Sequence, residues 1–261
     1  MIIDDGSKDN TKELVQSWQD DGHLNIEYYY KENGGMHTAH NYAYERISTE
    51  LNVCIDSDDW MPESAIEIIL RTWNNLADKE HIAGLVGLDA EASGNVIGTH
   101  FPGEYYVGDY NDLFYGIKIS GDKKFVLRTD VVRKFPAYPE YKGERLVPLG
   151  TLYMLIGSQM KYHCINEVLC TVEYQLDGSS NTIVRQYFQS PKGFIYAKKL
   201  KMKYAPSLTE IVKSALHIAM LSYVIRNWAS PLKGNRFWWL TIMLYPLGYL
   251  LYLYFKFKIK K

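Results

Sequence analysis

The run Val53-Cys54-Ile55-Asp56-Ser57-Asp58-Asp59-Trp60 constrains this chain more than any other stretch. Apolar residues lead directly into three carboxylates, and Met61-Pro62-Glu63 then opens a helix. The run therefore reads as a buried strand over residues 51–55 that delivers acids from its carboxyl end. Three acids in four residues repel one another unless a cation sits among them, and dense oxygen ligands suit a hard divalent ion. Magnesium or manganese is the expected ion. A site of one or two protein carboxylates completes its coordination with water and substrate phosphates, which points to nucleotide diphosphate chemistry. The competing reading is a polar turn that only caps the next helix.

The sequence before it repeats the arrangement. Residues 1–3 read as a strand ending at Asp4-Asp5-Gly6-Ser7, and Asp9-Asn10-Thr11 caps a helix over 12–18. A strand already reaching its acidic end this early reads as the middle of a βαβ architecture with its opening removed. Residues 26–30 read as a second strand, closed by Lys31-Glu32-Asn33-Gly34-Gly35, whose paired glycines let a backbone approach a ligand. Helices are expected over 38–47 and 66–73, and a strand over 83–88 before a hairpin turn at Gly94-Asn95. Strand and helix in alternation, with acids or glycines at the carboxyl ends, is the pattern of an open, mostly parallel α/β sheet that binds ligands outside those ends.

The alternation then stops. Residues 101–174, rich in tyrosine and proline, read as an irregular second lobe carrying one apolar helix over 149–160. Residues 174–182 have the small, polar composition of a mobile lid, and helices are expected over 183–188, 193–203 and 208–227. The expected organisation is an α/β nucleotide-binding part over 1–103, an acceptor-side lobe over 104–182, C-terminal helices over 183–235 and a hydrophobic tail over 236–261.

With 29 basic and 30 acidic side chains, the net charge of -1 gives no global electrostatic basis for nucleic-acid binding. Cys54, Cys164 and Cys170 lack paired-ligand spacing, which suggests a reducing compartment and no structural zinc. Residues 237–255 carry no charge, are flanked by Lys233, Arg236 and the terminal lysines, and hold Trp238 and Trp239 near one end. Such a tail is expected to associate with a membrane surface, as a kinked hairpin or interfacial helix on the cytoplasmic face of the inner membrane, peripheral or monotopic. A buried core helix is the competing reading.

Three stretches together resemble the family 2 inverting glycosyltransferases of GT-A type. They are residues 2–11 around Asp4-Asp5-Gly6-Ser7, the loop and helix from Asn33-Gly34-Gly35 to Ala39-His40-Asn41, and Ile55-Asp56-Ser57-Asp58-Asp59, which is similar to the family's DxD metal motif. Gly143-Glu144, residues 174–181 and Ser190-Pro191-Lys192-Gly193 resemble, less specifically, variants that build bacterial capsule and surface polysaccharides. The resemblance implies a GT-A fold lacking its first strand, followed by C-terminal helices. It implies transfer of a sugar with inversion from a nucleotide-sugar, a UDP-sugar, to a glycan or lipid-linked acceptor, aided by manganese or magnesium.

By the same resemblance Asp4 or Asp5 contacts the uracil or ribose, and Ser7, Asn33 and Gly34 border the donor. Asp56 contacts ribose or metal, with Ser57 beside it, and Asp58 holds the metal bridging the diphosphate. His40 stands where many relatives carry an arginine, so a phosphate contact there becomes weaker or pH-dependent. An inverting transfer needs a base for the acceptor hydroxyl. Glu144, placed before an apolar helix, is the first candidate and Asp122 the second, although Arg145 and Leu149 occupy places where relatives carry a further acid. Two other readings stand beside this one: a truncated, non-catalytic binding or scaffold protein of the same fold, and a metal-dependent phosphohydrolase using Asp56 and Asp58. The phosphohydrolase lacks the downstream lysine and ordered acids that it needs.

Overall fold

Amphipathic helices and short strands alternate through the first third of the chain, because apolar residues recur at helical spacing between brief β-prone runs. In the computed structural model, which describes residues 1–173, 182–205 and 207–259, these are β1 (Ile2–Asp4), α1 (Thr11–Asp21), β2 (Tyr28–Tyr30), α2 (Met36–Arg46), β3 (Leu51–Val53) and α3 (Ala65–Asn75). α1 stops at Gly22, whose left-handed backbone donates its N–H to the Gln19 carbonyl. α3 buries Ala65, Ile68, Ile69 and Trp73, one stripe of its surface. β1 and β2 pair in parallel as a separate two-stranded sheet.

Among the described residues the central sheet has five strands. β4 (Ile82–Glu91), β5 (Tyr105–Gly108), β6 (Lys123–Arg128) and β7 (Lys161–Val172) join β3 in the order β3-β6-β4-β7-β5. Only β4 and β7 run parallel; β6 lies antiparallel to both β3 and β4, and β5 antiparallel to β7. The fold is therefore a mixed α/β sheet flanked by helices. Residues 101–173 are not irregular: they supply three of its strands, and the expected boundary at residue 103 marks no break in the sheet. Tyrosine and proline there had suggested loops, but tyrosine suits a pleated, half-buried surface.

The strand over 51–55 also needs correction. It ends at Val53, its residues are half-buried and Cys54 is exposed, because β3 is an edge strand paired only with β6. Pleating of the inner strands divides the core in two. Val86, Leu88, Phe125 and Leu127 point to one face, where α5 (Gly150–Gly157) adds Leu152 and Ile156. Leu85, Val126 and Leu169 point to the other, under α3. A one-turn helix, α4 (Thr129–Val132), closes β6.

Beyond the sheet lie α6 (Ile183–Gln189), α7 (Pro191–Tyr204), α8 (Leu208–Ile225), α9 (Trp238–Met243) and α10 (Tyr245–Ile259). α8 is long and apolar enough to cross a membrane by length and composition, yet it packs against α7 and α10. The tail folds as two helices broken at Leu244, because Pro246 fits only in the first turn of the second. Gly248 permits close passage over α8: a Cβ there would come within 2.8 Å of the Ala219 Cβ. The expected lid over 174–182 falls outside the described residues except for Thr182.

Candidate active site

The loops after β1 and β2 are interlocked by their first acids. Asp4 is buried, and its carboxylate accepts the Ser7 N–H at 2.7 Å and the Tyr28 hydroxyl at 2.6 Å. Asp5 accepts the Lys31 ammonium at 2.6 Å and the amides of Gly34 and Gly35 at 2.9 and 2.7 Å. Both acids, expected at the base or ribose, are thus committed to backbone and side chains of the protein, and Asp5 shapes the glycine loop. Gly6, at φ +85°, completes the interlock, since a Cβ would sit 2.8 Å from the Asn33 nitrogen. Ser7 and Asn33 remain exposed at the rim, with Gly34 half-buried between the loops.

His40, expected to make a weaker or pH-dependent phosphate contact, sits inside the protein. It is buried, its Nδ1 lies 3.1 Å from the Met36 carbonyl one turn back, and its ring meets Tyr44 and Tyr138 edge-on. Burial holds its pKa below the ordinary histidine value, so the imidazole is neutral at neutral pH. His37, on the same helix, is also buried, and its Nδ1 has no hydrogen-bond partner.

After β3 the chain makes a tight turn in which the Asp59 N–H donates to the Asp56 carbonyl at 3.0 Å. The turn divides the acids. Asp56, Ser57 and Asp58 face solvent, while Asp59 points inward, accepting the Glu173 N–H at 3.3 Å and standing 4.0 Å from the Lys124 ammonium. Trp60 and Thr171 exchange two backbone hydrogen bonds, of 3.1 and 2.7 Å, and so fasten the turn to β7. Among the described residues no group of three His, Cys, Asp or Glu forms an all-protein metal cage. Two outward carboxylates do fit a divalent ion whose remaining ligands come from water and phosphate.

Sequence reasoning missed the groups beneath this turn. Asp89 lies near the carboxyl end of β4, is 3% exposed, and has one carboxylate oxygen without a hydrogen-bond partner. Burial pushes its carboxyl up to about 6, with Lys124 pulling against the shift. Burial works against the Lys124 ammonium too, but Asp89 holds its pKa above the ordinary lysine value. An acid at a strand's carboxyl end was the signal used elsewhere. The sequence places the end of this strand at Leu88, whereas β4 runs on through Asp89 to Glu91.

The base candidates separate as well. Glu144 accepts the N–H groups of Lys192 and Gly193 at 2.8 and 3.0 Å, which makes it the cap of α7. Burial raises its pKa while those amides counter the shift. The backbone beside it reaches the donor side, for Arg145 packs against Gly35. Asp122 is exposed and precedes β6, whose register places it across from Asp89. Lys123 donates to the carbonyls of Ile97, Ser120 and Asp122 and so holds that loop. A separate cavity of about 820 Å³, bordered by Thr72, Tyr105, Val107 and His163, opens at the other end of the strands.

The family model described as glycosyl transferase family 2 matches residues 1–130, which span the Asp4-Asp5 loop, the glycine loop, the acid turn, Asp89 and Asp122. This half of the chain belongs to glycosyl transferase family 2. Over 82 residues the chain is 34% identical to an uncharacterised glycosyltransferase of Rickettsia typhi, and over 71 residues 37% identical to one of Mycoplasma genitalium. These alignments cover 31% and 26% of this chain and span about a quarter, 24%, of each relative. The fold extends further than the sequence likeness. The crystal structure of S. aureus TarS 1-349 in complex with UDP-GlcNAc superposes with a TM-score of 0.54 over 95% of this chain and 79% of that chain, at 14% identity. The complex of the same protein with UDP superposes at 0.51. The GT-A architecture is thus shared, with the acid turn and glycine loop inside the family 2 domain.

Proposed function

We propose that the chain is a metal-dependent, inverting glycosyltransferase that moves a sugar from a UDP-sugar to a glycan or lipid-linked acceptor in bacterial surface polysaccharide synthesis. The observation that carries this reading is the acid turn of a family 2 domain, with Asp56 and Asp58 turned outward and Asp59 turned inward. The TarS complexes with UDP-GlcNAc and UDP support a uridine nucleotide as donor, and the chain's own residues offer a site for it. Gly34 and Gly35, fixed by Asp5, let the backbone lie close to the diphosphate, while Ser7 and Asn33 border the nucleoside. Asp58, with Asp56, is the proposed holder of manganese or magnesium. When bound, that ion neutralises charge on the departing diphosphate.

In the transfer, the acceptor oxygen forms the new bond to the anomeric carbon as the bond to the diphosphate breaks on the opposite face. The acceptor proton goes to a carboxylate. Asp122 is the proposed base, because it is exposed at the start of β6, beside the strand that carries Asp89. The exposed apolar face of α9 and α10, carrying Trp238, Trp239 and Leu250, supports attachment to the cytoplasmic face of the cell membrane, beside a lipid-linked acceptor.

Calorimetry with UDP and manganese, followed by turnover of a panel of UDP-sugars, tests the assignment. Asp58→Ala is expected to abolish metal-dependent UDP binding in a folded protein. Asp122→Asn is expected to leave binding intact and lower turnover by about 100-fold or more, while Glu144→Gln retains both. Loss of turnover in Glu144→Gln alone would return the base to Glu144. The neutral His40 and the engaged Glu144 favour one second reading, a non-catalytic binding or scaffold protein of this fold. Wild-type protein that binds UDP and manganese, yet neither transfers nor hydrolyses any UDP-sugar, would establish it.

A further inference from the structure

Lys124 occupies a position that the transfer chemistry leaves unused. It comes from β6, which inserts between the strand bearing the acid turn and the strand bearing Asp89. Gly87 is its partner across the ladder, and the Leu169 side chain fills the space that a Cβ at Gly87 would take. Asp89, two residues farther along β4, falls on the same side of the sheet as Gly87. Lys124 is mostly buried and its ammonium stands 4.0 Å from Asp59, itself the least exposed of the three acids in the turn. The one carboxylate oxygen of Asp89 without a partner therefore lies in the electrostatic reach of a cation already shared with Asp59.

We propose that Lys124, balanced between Asp59 and Asp89, is a positioning residue that fixes the acid turn with Asp59 inward and Asp56 and Asp58 outward toward the donor. The physical reason is charge balance. A buried carboxylate without a counter-ion is costly, and two facing each other are worse. With Lys124 present, Asp59 stays inside and accepts the Glu173 amide, and the Asp59 N–H closes the turn on the Asp56 carbonyl. Without it, Asp59 and Asp89 repel, and the cheapest relief is to swing Asp59 out. That movement breaks the turn and pulls at Trp60, the residue hydrogen-bonded to Thr171. Lys124 touches no donor atom in this account; it acts through Asp59.

The inference rests on the donor reading of Asp56 and Asp58 given above, so its test has a readout that needs no ligand. Hydrogen exchange of the Trp60 amide, which donates to Thr171, reports the turn in the free full-length protein. Lys124→Met is expected to speed that exchange about tenfold and to weaken manganese–UDP binding by a similar factor. Lys124→Met combined with Asp89→Asn removes one cation and one anion together, and is expected to restore both within about threefold. Lys124→Arg keeps the charge and stays near wild type. A purely packing role for Lys124 predicts no rescue by Asp89→Asn, and that result overturns the proposal, as does unchanged exchange in a folded Lys124→Met. If the wild type fails to bind manganese and UDP, the donor reading falls, and exchange alone still decides whether Lys124 holds the turn.

Discussion

The α-carbon of Gly35 packs so closely on the carbonyl of Arg145 that a Cβ at residue 35 would overlap it. This contact joins the glycine loop of the family 2 domain to the stretch that caps α7. It leaves the loop no freedom to retreat, because Gly35 also adopts φ +94° and gives its N–H to Asp5.

Gly35→Ala is therefore expected to lose about 2–4 kcal/mol of stability, from the left-handed backbone and from displacement of the Arg145 backbone together. Urea unfolding measures it. Gly143→Ala is the control for backbone strain alone, since Gly143 shares the positive φ and has no neighbour within 4 Å of its would-be Cβ. Its cost is expected to be about 1 kcal/mol. Equal losses at the two positions would mean that the contact with Arg145 is not tight.

Asp5 and Asp58 are expected to fail in opposite ways. Removing Asp5 leaves the Lys31 ammonium and two loop amides without their acceptor, so Asp5→Ala should lower stability by about 2–4 kcal/mol and weaken UDP binding as a consequence. Asp58 is exposed at the turn, and Asp58→Ala should change stability by no more than about 0.5 kcal/mol while UDP binding with manganese is lost. Thermal unfolding beside calorimetry separates them. An Asp5→Ala protein with wild-type stability would place Asp5 at the nucleotide after all.

Asp89 makes a pH-dependent contribution whose sign is fixed by its raised pKa. The folded state holds the proton up to about 6, against 3.8 as the ordinary value, so the stabilising effect of that proton is complete below pH about 4 and lost as pH rises through 6. Above that range the ionised, buried carboxylate costs about 2–3 kcal/mol. Asp89→Asn should consequently be more stable than wild type above pH 6, with the advantage fading toward pH 4. Urea unfolding across that interval checks the crossover, and a variant less stable than wild type at alkaline pH would show that the ion pair with Lys124 outweighs burial.

These residues also mark what a sequence can reveal. The acid turn, the Asp4-Asp5 loop and the glycine loop were legible because each follows a short strand, and strand ends can be read from local pattern. Asp89 and Lys124 were not, since they meet only because β6 inserts antiparallel between β3 and β4. Nor was the role of Glu144: its partners are the amides of Lys192 and Gly193, on a helix distant in sequence, and local reasoning saw only an acid before an apolar segment. His40 illustrates the reverse case. Its place beside the glycine loop was clear, but the aromatic cage of Tyr44 and Tyr138 that keeps it neutral depends on packing.

The tail sets the last prediction. Its helices bury one face against α8, where Gly248 meets Ala219 and where Leu251, Tyr252 and Phe255 join Met220 and Leu221. The other face is apolar and exposed: Leu247 is 54% exposed, Leu250 61% and Met243 69%, and Trp238 and Trp239 lie at the same end of the chain. Lys256 and Lys258 stand among them in the last turns of α10. An apolar face beside lysines and tryptophans matches an anionic membrane surface in both hydrophobic and electrostatic terms. Deleting the tail would strip cover from α8 as well, so a cleaner test changes only the open face. Leu247→Glu with Leu250→Glu should preserve the melting temperature and UDP binding, and should shift the protein from vesicles containing anionic lipid into the supernatant on sedimentation. Activity toward a lipid-linked acceptor should fall in step with that release. Full-length wild type that remains monomeric in the supernatant without detergent would remove the membrane from the account.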